Sequence, residues 1–244
     1  MTDIDQAKEA VRDRVWRLLE REGAVPEGSY GKIPGFRGTE VTAEHLAELE
    51  VWKRAGTVKA NPDWAQLPIR IRALQDDKLL YMAVPRMASL QPFYLLDPAS
   101  LSLPPEEAAE KQGAEQSARR IGVDEMRPID VVICGSVAVN RTGARIGKGA
   151  GYSDLEVALL IEAGLVTEET TIVAPVHQLQ VIDQEIPETE HDFSVDLIAT
   201  PDEVIPCEGR RRPSGVVWED LTAEKVEAIP VLAALHRSQV GKQA

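Results

Sequence analysis

One nearly continuous apolar segment, IDVVICGSVAV (residues 129–139), constrains the fold of this chain more than any other feature. It is rich in valine and isoleucine, which favour extended backbone. Segments that are apolar on both faces are typical of strands in a parallel sheet whose two faces are covered by helices. Two similar segments follow, at residues 170–176 and 195–200. We therefore predict an α/β domain with a mostly parallel sheet.

Hydrophobic periodicity predicts the helices that cover such a sheet. Over residues 3–21, apolar residues recur at spacings of three and four, which indicates an amphipathic helix. A second helix is predicted to begin at Thr42, whose hydroxyl can cap it, and a third to run from about 153 to 163. Residues 222–236 are typical of a helix that Pro230 interrupts.

The first half of the chain has shorter and less regular signals. Residues 27–38 are rich in glycine and proline, so we predict a loop there. TVKAN (57–61) is expected to be a short strand. IRIRAL (69–74) and KLLYMAV (78–84) are both predicted to be strands, paired as a hairpin or adjacent in one sheet.

Composition excludes several classes of protein. The apolar runs are too short to span a bilayer, and the charged first twenty residues do not resemble a secretory signal. A net charge of −13 argues against a general nucleic-acid binder. Two cysteines do not make a disulfide framework, which favours a reducing compartment. We expect a cytoplasmic protein, a monomer or homodimer, with neither a membrane nor a nucleic-acid partner.

The length of 244 residues, 43% of them hydrophobic, allows one large domain or two small ones with a proper core. We predict that one large domain spans residues 1–208. Residues 209–244 are predicted to be a C-terminal appendage with one helix.

The stretch RIGKGAGYSD (145–154) lies between the apolar segment and the third predicted helix. Its three glycines alternate with other residues, so the backbone can approach a ligand closely. The amides at the start of the following helix direct partial positive charge at this loop. Arg145 and Lys148 add full charges. The combination predicts a binding site for a polyanion, with phosphates favoured.

Simpler explanations of the same stretch remain open. Its glycine spacing fits neither the Walker nor the dinucleotide-binding pattern, so the loop could be a flexible connection. Ser153 and Glu156 have the spacing of a capping box, in which Asp154 would interact with the helix dipole rather than with a metal. Cys134 is interpreted as a small buried side chain rather than a nucleophile.

Three blocks of the sequence resemble the 5-formyltetrahydrofolate cyclo-ligase family. RIGKGAGYSD has the form of that family's motif R-[LI]-G-[RK]-G-x-G-Y-Y-D, with Ser153 at the second tyrosine. IPETEHDFSVDLIATP contains the family's H-D pair at His191 and Asp192, before a short strand. Lys8 and Arg12 match the K-x-x-x-R of the family's first helix. The blocks occur in the family's order.

The resemblance covers roughly residues 5 to 205 and implies both a fold and a reaction. The fold is a three-layer α/β/α domain of the NagB/RpiA/CoA-transferase type. In the reaction, ATP phosphorylates the formyl oxygen of 5-formyltetrahydrofolate, and ring closure gives 5,10-methenyltetrahydrofolate. The implied cofactors are ATP and Mg²⁺, and the implied small-molecule partner is the formyl folate.

The resemblance also implies roles for individual residues. Arg145, Lys148 and Tyr152 are expected to be catalytic. Asp154 and Asp192 are expected to be the metal-side carboxylates. The residues expected to bind the nucleotide are Lys8, Arg12, Arg145, Gly147, Lys148, Gly149, Gly151 and Tyr152.

Two departures from the family pattern bear on activity. The family often has a lysine where this chain has Ala150, which removes one cation from the transferring phosphate, and Ser153 replaces a tyrosine. GKGAGYSDLEVALL looks closer to the branch of methenyltetrahydrofolate synthetase domain-containing proteins. One alternative is therefore a nucleotide- or folate-binding relative without turnover, regulatory or RNA-associated. Another is a sugar-phosphate or CoA-ester enzyme that shares the fold.

Overall fold

The structure is a computed structural model that describes residues 2–243, with side chains as far as residue 238. The α-helices are α1 (Asp3–Arg21), α2 (Thr39–Ala47), α3 (Glu50–Arg54), α4 (Leu67–Gln75), α5 (Pro105–Ala108), α6 (Lys111–Ser117), α7 (Tyr152–Glu162), α8 (Ala223–Ala228) and α9 (Pro230–Gln243). The β-strands are β1 (Thr57–Ala60), β2 (Leu79–Ala83), β3 (Phe93–Leu96), β4 (Arg119–Ile121), β5 (Val131–Ile133), β6 (Ala138–Asn140), β7 (Arg145–Ile146), β8 (Thr171–Pro175), β9 (Val181–Ile182), β10 (Leu197–Ala199) and β11 (Val204–Pro206).

A sheet of eight strands forms the centre of the described structure, in the order β11-β10-β8-β5-β1-β2-β3-β4. Strands β10, β8, β5, β1 and β2 run parallel to one another. Antiparallel pairing adds β11 at one edge and β3 and β4 at the other. The mostly parallel sheet predicted from the valine- and isoleucine-rich segments is confirmed.

Helices cover both faces of this sheet. Successive side chains of a strand point to opposite faces. On β2, Leu80 and Met82 pack into a core shared with α2 to α6. Tyr81 and Ala83 point the other way, into a core that includes Val157 of α7. The predicted three-layer α/β/α fold is confirmed.

The apolar segment 129–139 does not form the single strand that its composition predicts. Only its first part pairs in the large sheet, as β5, and its end forms β6 in a second sheet of order β7-β6-β9. The chain changes sheets at Gly135, where an added Cβ would lie 2.7 Å from Asp63 Oδ2. Cys134 is fully buried beside this exit, and burial raises the pKa of its thiol, so its interpretation as a buried side chain is confirmed.

The segment IRIRAL lies in helix α4, and the strand predicted for it is wrong. Ile69, Ala73 and Leu74 have helical spacing and are buried in the core on one face of the sheet. Pro68, at the start of α4, is compatible with the first turn of a helix. Six residues are too few for periodicity to distinguish a short strand from one face of a helix.

Some of the predicted helix boundaries agree with the structure, and others differ by a few residues. The second helix begins at Thr39 rather than Thr42 and is divided into α2 and α3. Helix α1 matches the predicted range, and the C-terminal helix begins after Thr222 and is interrupted before Pro230. Among residues 2–243, no helix combines the length and apolar character needed to cross a membrane.

The C-terminal segment packs on α7. Ile229 and Leu232 are buried against Leu155 and Leu159. The segment therefore extends the helical layer on this face of the sheet and covers one side of α7. The boundary between residues 208 and 209 stays a prediction.

Candidate functional site

A cleft of about 580 Å³ opens beyond the carboxyl ends of β1, β2 and β5. Ligands of open α/β sheets bind at this edge. Its walls come from α1, the loops after β1 and β2, the glycine loop between β7 and α7, and the loop before β10. The cleft brings together every site residue that the sequence predicts: Lys8, Arg12, Arg145, Gly147, Lys148, Gly149, Gly151, Tyr152, Asp154 and Asp192.

The glycine loop presents backbone donors to this cleft. Gly149 and Gly151 have φ angles of 98° and 68°, in the left-handed region that favours glycine. Gly151 is the N-cap of α7, so the unpaired amides of the first helical turn lie beside it. Within the described structure, no acceptor receives a hydrogen bond from the amides of residues 148–151. These donors are available to an anion.

The capping box that could have explained Ser153 and Glu156 is not formed. Ser153 lies inside the first turn of α7, after the Gly151 cap, and Glu156 bonds elsewhere. Ser153 is one of the residues that line the cleft. Its hydroxyl is buried and has no hydrogen-bond partner among the described residues. The predicted capping box is therefore wrong, although Asp154 does lie in the first turn of α7, and the Ser153 hydroxyl is left without a described partner.

The cations of α1 are bound to other parts of the cleft wall. Lys8 Nζ lies 2.6 Å from Asp192 Oδ2, and both side chains are largely buried. Arg12 donates from Nε to the carbonyl oxygen of Gly147 at 2.8 Å. Lys148 is exposed on the glycine loop and forms no ion pair within the described residues. Of these three cations, Lys148 is the one whose charge is free for a ligand.

Arg145 is held rigidly behind the glycine loop. Its Nη1 lies 2.7 Å from Asp154 Oδ1, and its other nitrogens donate to Ser136 Oγ and the Gly135 carbonyl, each at 3.3 Å. Its guanidinium lies 4.6 Å from the ring centroid of Phe193. Burial alone would lower the pKa of Arg145, but the neighbouring groups, the Asp154 carboxylate foremost, together outweigh it and the pKa is raised. Arg145 is therefore a fixed positive charge.

Asp154 and Asp192 each keep one carboxylate oxygen free of described donors. Asp154 uses Oδ1 for Arg145. Asp192 uses Oδ2 for Lys8 and for the amide and hydroxyl of Thr189. Burial raises the pKa of Asp192, but these hydrogen bonds outweigh it and lower that pKa below its usual value. Both carboxylates are positioned to accept a further partner.

The sequence prediction missed a buried ion pair beneath the cleft. Lys59 Nζ, which is fully buried, lies 2.6 Å from Glu156 Oε2 and 2.8 Å from Asn61 Oδ1. Asn61 Nδ2 donates to the same Glu156 oxygen at 2.7 Å. This network joins β1 to α7. A lysine within an otherwise buried strand is the signal that could have identified it.

Asp63 is a second missed residue, which lines the cleft from the loop after β1. Burial raises the pKa of its carboxyl and Glu156 raises it further, while the Lys148 cation lowers it. Arg70 fixes this part of the wall, because its Nη1 donates to the carbonyl oxygens of Asn61 and Asp63 at 2.6 and 2.9 Å. Asp63 and Lys148 therefore line the same cleft and lie close enough to interact electrostatically.

Replacing Lys148 with methionine is expected to raise the pKa of Asp63 further. The change removes a nearby positive charge that stabilises the ionised carboxylate. Carboxyl ¹³C NMR titration of the wild type and the variant measures the shift. In Lys53→Met, which removes an exposed charge on α3, the Asp63 titration should be unchanged. Equal midpoints in the wild type and Lys148→Met would contradict the proximity of the two groups.

Comparison with known proteins agrees with this arrangement of motifs. The family model for the 5-formyltetrahydrofolate cyclo-ligase family matches residues 4–201. The chain is 35% identical to the methenyltetrahydrofolate synthase domain-containing proteins of Bos taurus and Homo sapiens, over 97% and 98% of its length. It spans 64% of the length of each of these curated relatives.

A solved structure supports the fold. The NMR structure of 5,10-methenyltetrahydrofolate synthetase from Aquifex aeolicus aligns with a TM-score of 0.53 at 19% identity, over 86% of this chain and 96% of that one. At this identity the likeness concerns the fold alone. The family match rests on the sequence itself, across most of the chain. The chain belongs to the 5-formyltetrahydrofolate cyclo-ligase family.

Proposed function

We propose that this protein catalyses the ATP- and Mg²⁺-dependent cyclisation of 5-formyltetrahydrofolate to 5,10-methenyltetrahydrofolate. Membership of the cyclo-ligase family supports the reaction class. One observation supports the proposal most: the free amides of residues 148–151, the unpaired Lys148 ammonium and the orphan Ser153 hydroxyl belong to one cleft. Such a donor set fits the phosphate chain of a nucleotide.

The positive charges behind the loop add to this fit. A Cβ added at Gly149 would lie 3.4 Å from Arg12 Cζ, and one added at Gly147 would lie 2.8 Å from Arg145 Nη2. Two guanidinium groups therefore pack directly against bare backbone. Phosphate oxygens that contact the loop would interact with these fixed charges at short range and without reorganisation of the protein.

The free carboxylate oxygens suit Mg²⁺ only when phosphate is also present. No group of three or more metal-ligating histidine, cysteine or acidic side chains occurs within the described residues. Mg²⁺ commonly takes one or two carboxylates and completes its shell with water and phosphate oxygens. Asp154 Oδ2 and Asp192 Oδ1 would be those ligands, and the ion would neutralise charge on the phosphates.

In phosphoryl transfer, the protein contributes mainly positioning and electrostatic stabilisation. In this proposal, Lys148 contacts the transferring phosphate, and Arg145 keeps the loop and Asp154 in place. Tyr152, which also lines the cleft, flanks the formyl group. Val84, Pro85 and Asp63 also line this cleft. Apolar surface beside a hydrogen-bond acceptor suits a flat heterocycle that carries N–H groups, such as the pterin.

Mixing the purified protein with ATP, Mg²⁺ and 5-formyltetrahydrofolate is expected to produce the absorbance of the methenyl product. Omission of either ATP or Mg²⁺ should abolish the signal. Nucleotide binding without product would select the non-catalytic alternative, which the substitutions at Ala150 and Ser153 favour. If the protein neither binds the nucleotide nor forms the product, that result would favour another enzyme of the same fold.

A further inference from the structure

The C-terminal segment lies beyond the family match, yet it contacts the glycine loop. Lys225 Nζ, on α8, donates to the carbonyl oxygen of Ala150 at 3.3 Å. It also lies 6.0 Å from the ring centroid of Tyr152. A Cβ added at Gly151 would be 3.0 Å from this ammonium. Lys225 therefore rests against the backbone of the loop at the point where α7 begins.

We propose that Lys225 is a positioning residue that orients the glycine loop and supplies it with a positive charge for a bound polyphosphate. The inference rests on the proposed function only for the identity of that polyphosphate. Lys225 is not among the residues that line the cleft, whereas Ala150 and Gly151 are. Its ammonium therefore approaches the loop from the outer side.

This approach determines where one backbone donor points. In a trans peptide, the carbonyl and the amide N–H point in opposite directions. Lys225 holds the Ala150 carbonyl on the outer side. The N–H of Gly151, in the same peptide unit, is thereby directed to the inner side, towards the cleft. It has no acceptor within the described residues.

The segment that carries Lys225 is fixed in place by two further contacts. Ile229 and Leu232 are almost completely buried in the cluster that includes Leu155 of α7. Asp220 Oδ2 lies 2.9 Å from Nδ1 of His191, which lines the cleft from the loop before β10. The C-terminal segment is thus bound both to α7 and to the loop that carries His191, and Lys225 has a defined position.

Lys225 also compensates for a feature of the loop. Ala150 lines the cleft but brings no charge to it. The neighbouring cation without an ion-pair partner in the described structure, Lys148, is exposed, and lysine carries its charge on a flexible four-carbon side chain. The partly buried ammonium of Lys225 stays near the loop through its hydrogen bond to the Ala150 carbonyl oxygen. A charge in this position strengthens anion binding without occupying the cleft.

The test compares Lys225→Met, which removes the charge at similar length, with Lys225→Arg, which keeps it. A third variant combines Lys225→Met with Ala150→Lys, so that a charge returns to the same loop. Lys53→Met is the matched control, because it removes an exposed lysine charge from the opposite helical layer. Calorimetry measures the binding of Mg²⁺–ATP and of inorganic tripolyphosphate, and thermal unfolding checks that each variant is folded.

We expect Lys225→Met to weaken the binding of both probes about tenfold, because the loop loses a nearby positive charge and the hydrogen bond that orients the Ala150–Gly151 peptide. Lys225→Arg should stay close to the wild type, Ala150→Lys should restore most of the affinity in the Lys225→Met background, and Lys53→Met should have no effect. Rescue by charge separates this role from a purely structural one.

Unchanged affinity in Lys225→Met, or equal losses in the Met and Arg variants, would overturn the proposal. If Ala150→Lys failed to restore affinity in the Lys225→Met background, the part of the proposal that concerns the charge of Lys225 would be overturned. A wild type that binds neither polyphosphate would overturn it as well. A wild type that binds Mg²⁺–ATP but forms no methenyl product would disprove the proposed reaction and leave the assignment of Lys225 intact.

Discussion

Replacing Lys59 with methionine is expected to lower the free energy of unfolding by about 3–5 kcal/mol. The Lys59 ammonium is fully buried and lies 2.6 Å from Glu156 Oε2. Among the described residues, its removal leaves the buried carboxylate with only the amide of Asn61 as a side-chain donor. A buried charge without its counter-ion carries most of its desolvation cost unopposed. Chemical denaturation of the wild type and the variant measures the difference.

The matched control removes both charges together. Lys59→Met combined with Glu156→Gln should recover a large part of the lost stability, because the neutral amide can remain hydrogen-bonded to Asn61. Lys53→Met, which breaks exposed ion pairs on α3, should cost less than about 1 kcal/mol. A loss for Lys59→Met as small as that for Lys53→Met would show that the buried pair does not hold β1 against α7.

Replacing Lys148 with methionine is expected to lower kcat/KM for cyclisation by about 100-fold, the typical effect of removing one preorganised donor from a transition-state site. Lys148 lines the cleft and has no ion-pair partner within the described structure, so its charge is available to the transferring phosphate. Steady-state kinetics with varied ATP measures both kcat and KM. The free energy of unfolding should hardly change, because the side chain is exposed.

Lys148→Arg keeps the charge and should retain more activity than Lys148→Met. If Lys148→Met had the kcat and KM of the wild type, that result would exclude contact between Lys148 and the reacting nucleotide. Should the wild type itself prove inactive, the binding of Mg²⁺–ATP provides the same comparison, with at least tenfold weaker binding expected for Lys148→Met.

Long periodic segments were predictable from the sequence, and short ones were not. Helix α1 has five turns of regular apolar spacing, which only one structure satisfies. IRIRAL offers six residues, and its alternation is equally compatible with a strand and with one buried face of α4. For residues 129–139, hydrophobicity reports burial, but it does not show that the chain changes sheets at Gly135.

The candidate site divides in a similar way. The glycine loop and its cations are contiguous in sequence, so their chemistry could be predicted locally. Lys59 and Glu156 are 97 residues apart, and Lys225 is 75 residues from Ala150. Lys59 stands out as a lysine within a predicted strand, but nothing near it in the sequence identifies Glu156 as its partner, and nothing near Lys225 identifies Ala150. Such pairs become recognisable only when the tertiary fold brings them together.

Two distant segments hold the glycine loop, and this affects how the protein is made. Arg12 binds the Gly147 carbonyl across 135 residues, and Lys225 binds the Ala150 carbonyl across 75. Contacts of such long range form late in folding. During translation, the contact of Arg12 with the glycine loop can form only after the loop has been synthesised. The contact of Lys225 can form only after α8 has been synthesised. The glycine loop of a nascent chain can therefore be held by both contacts only after residue 225 has been synthesised.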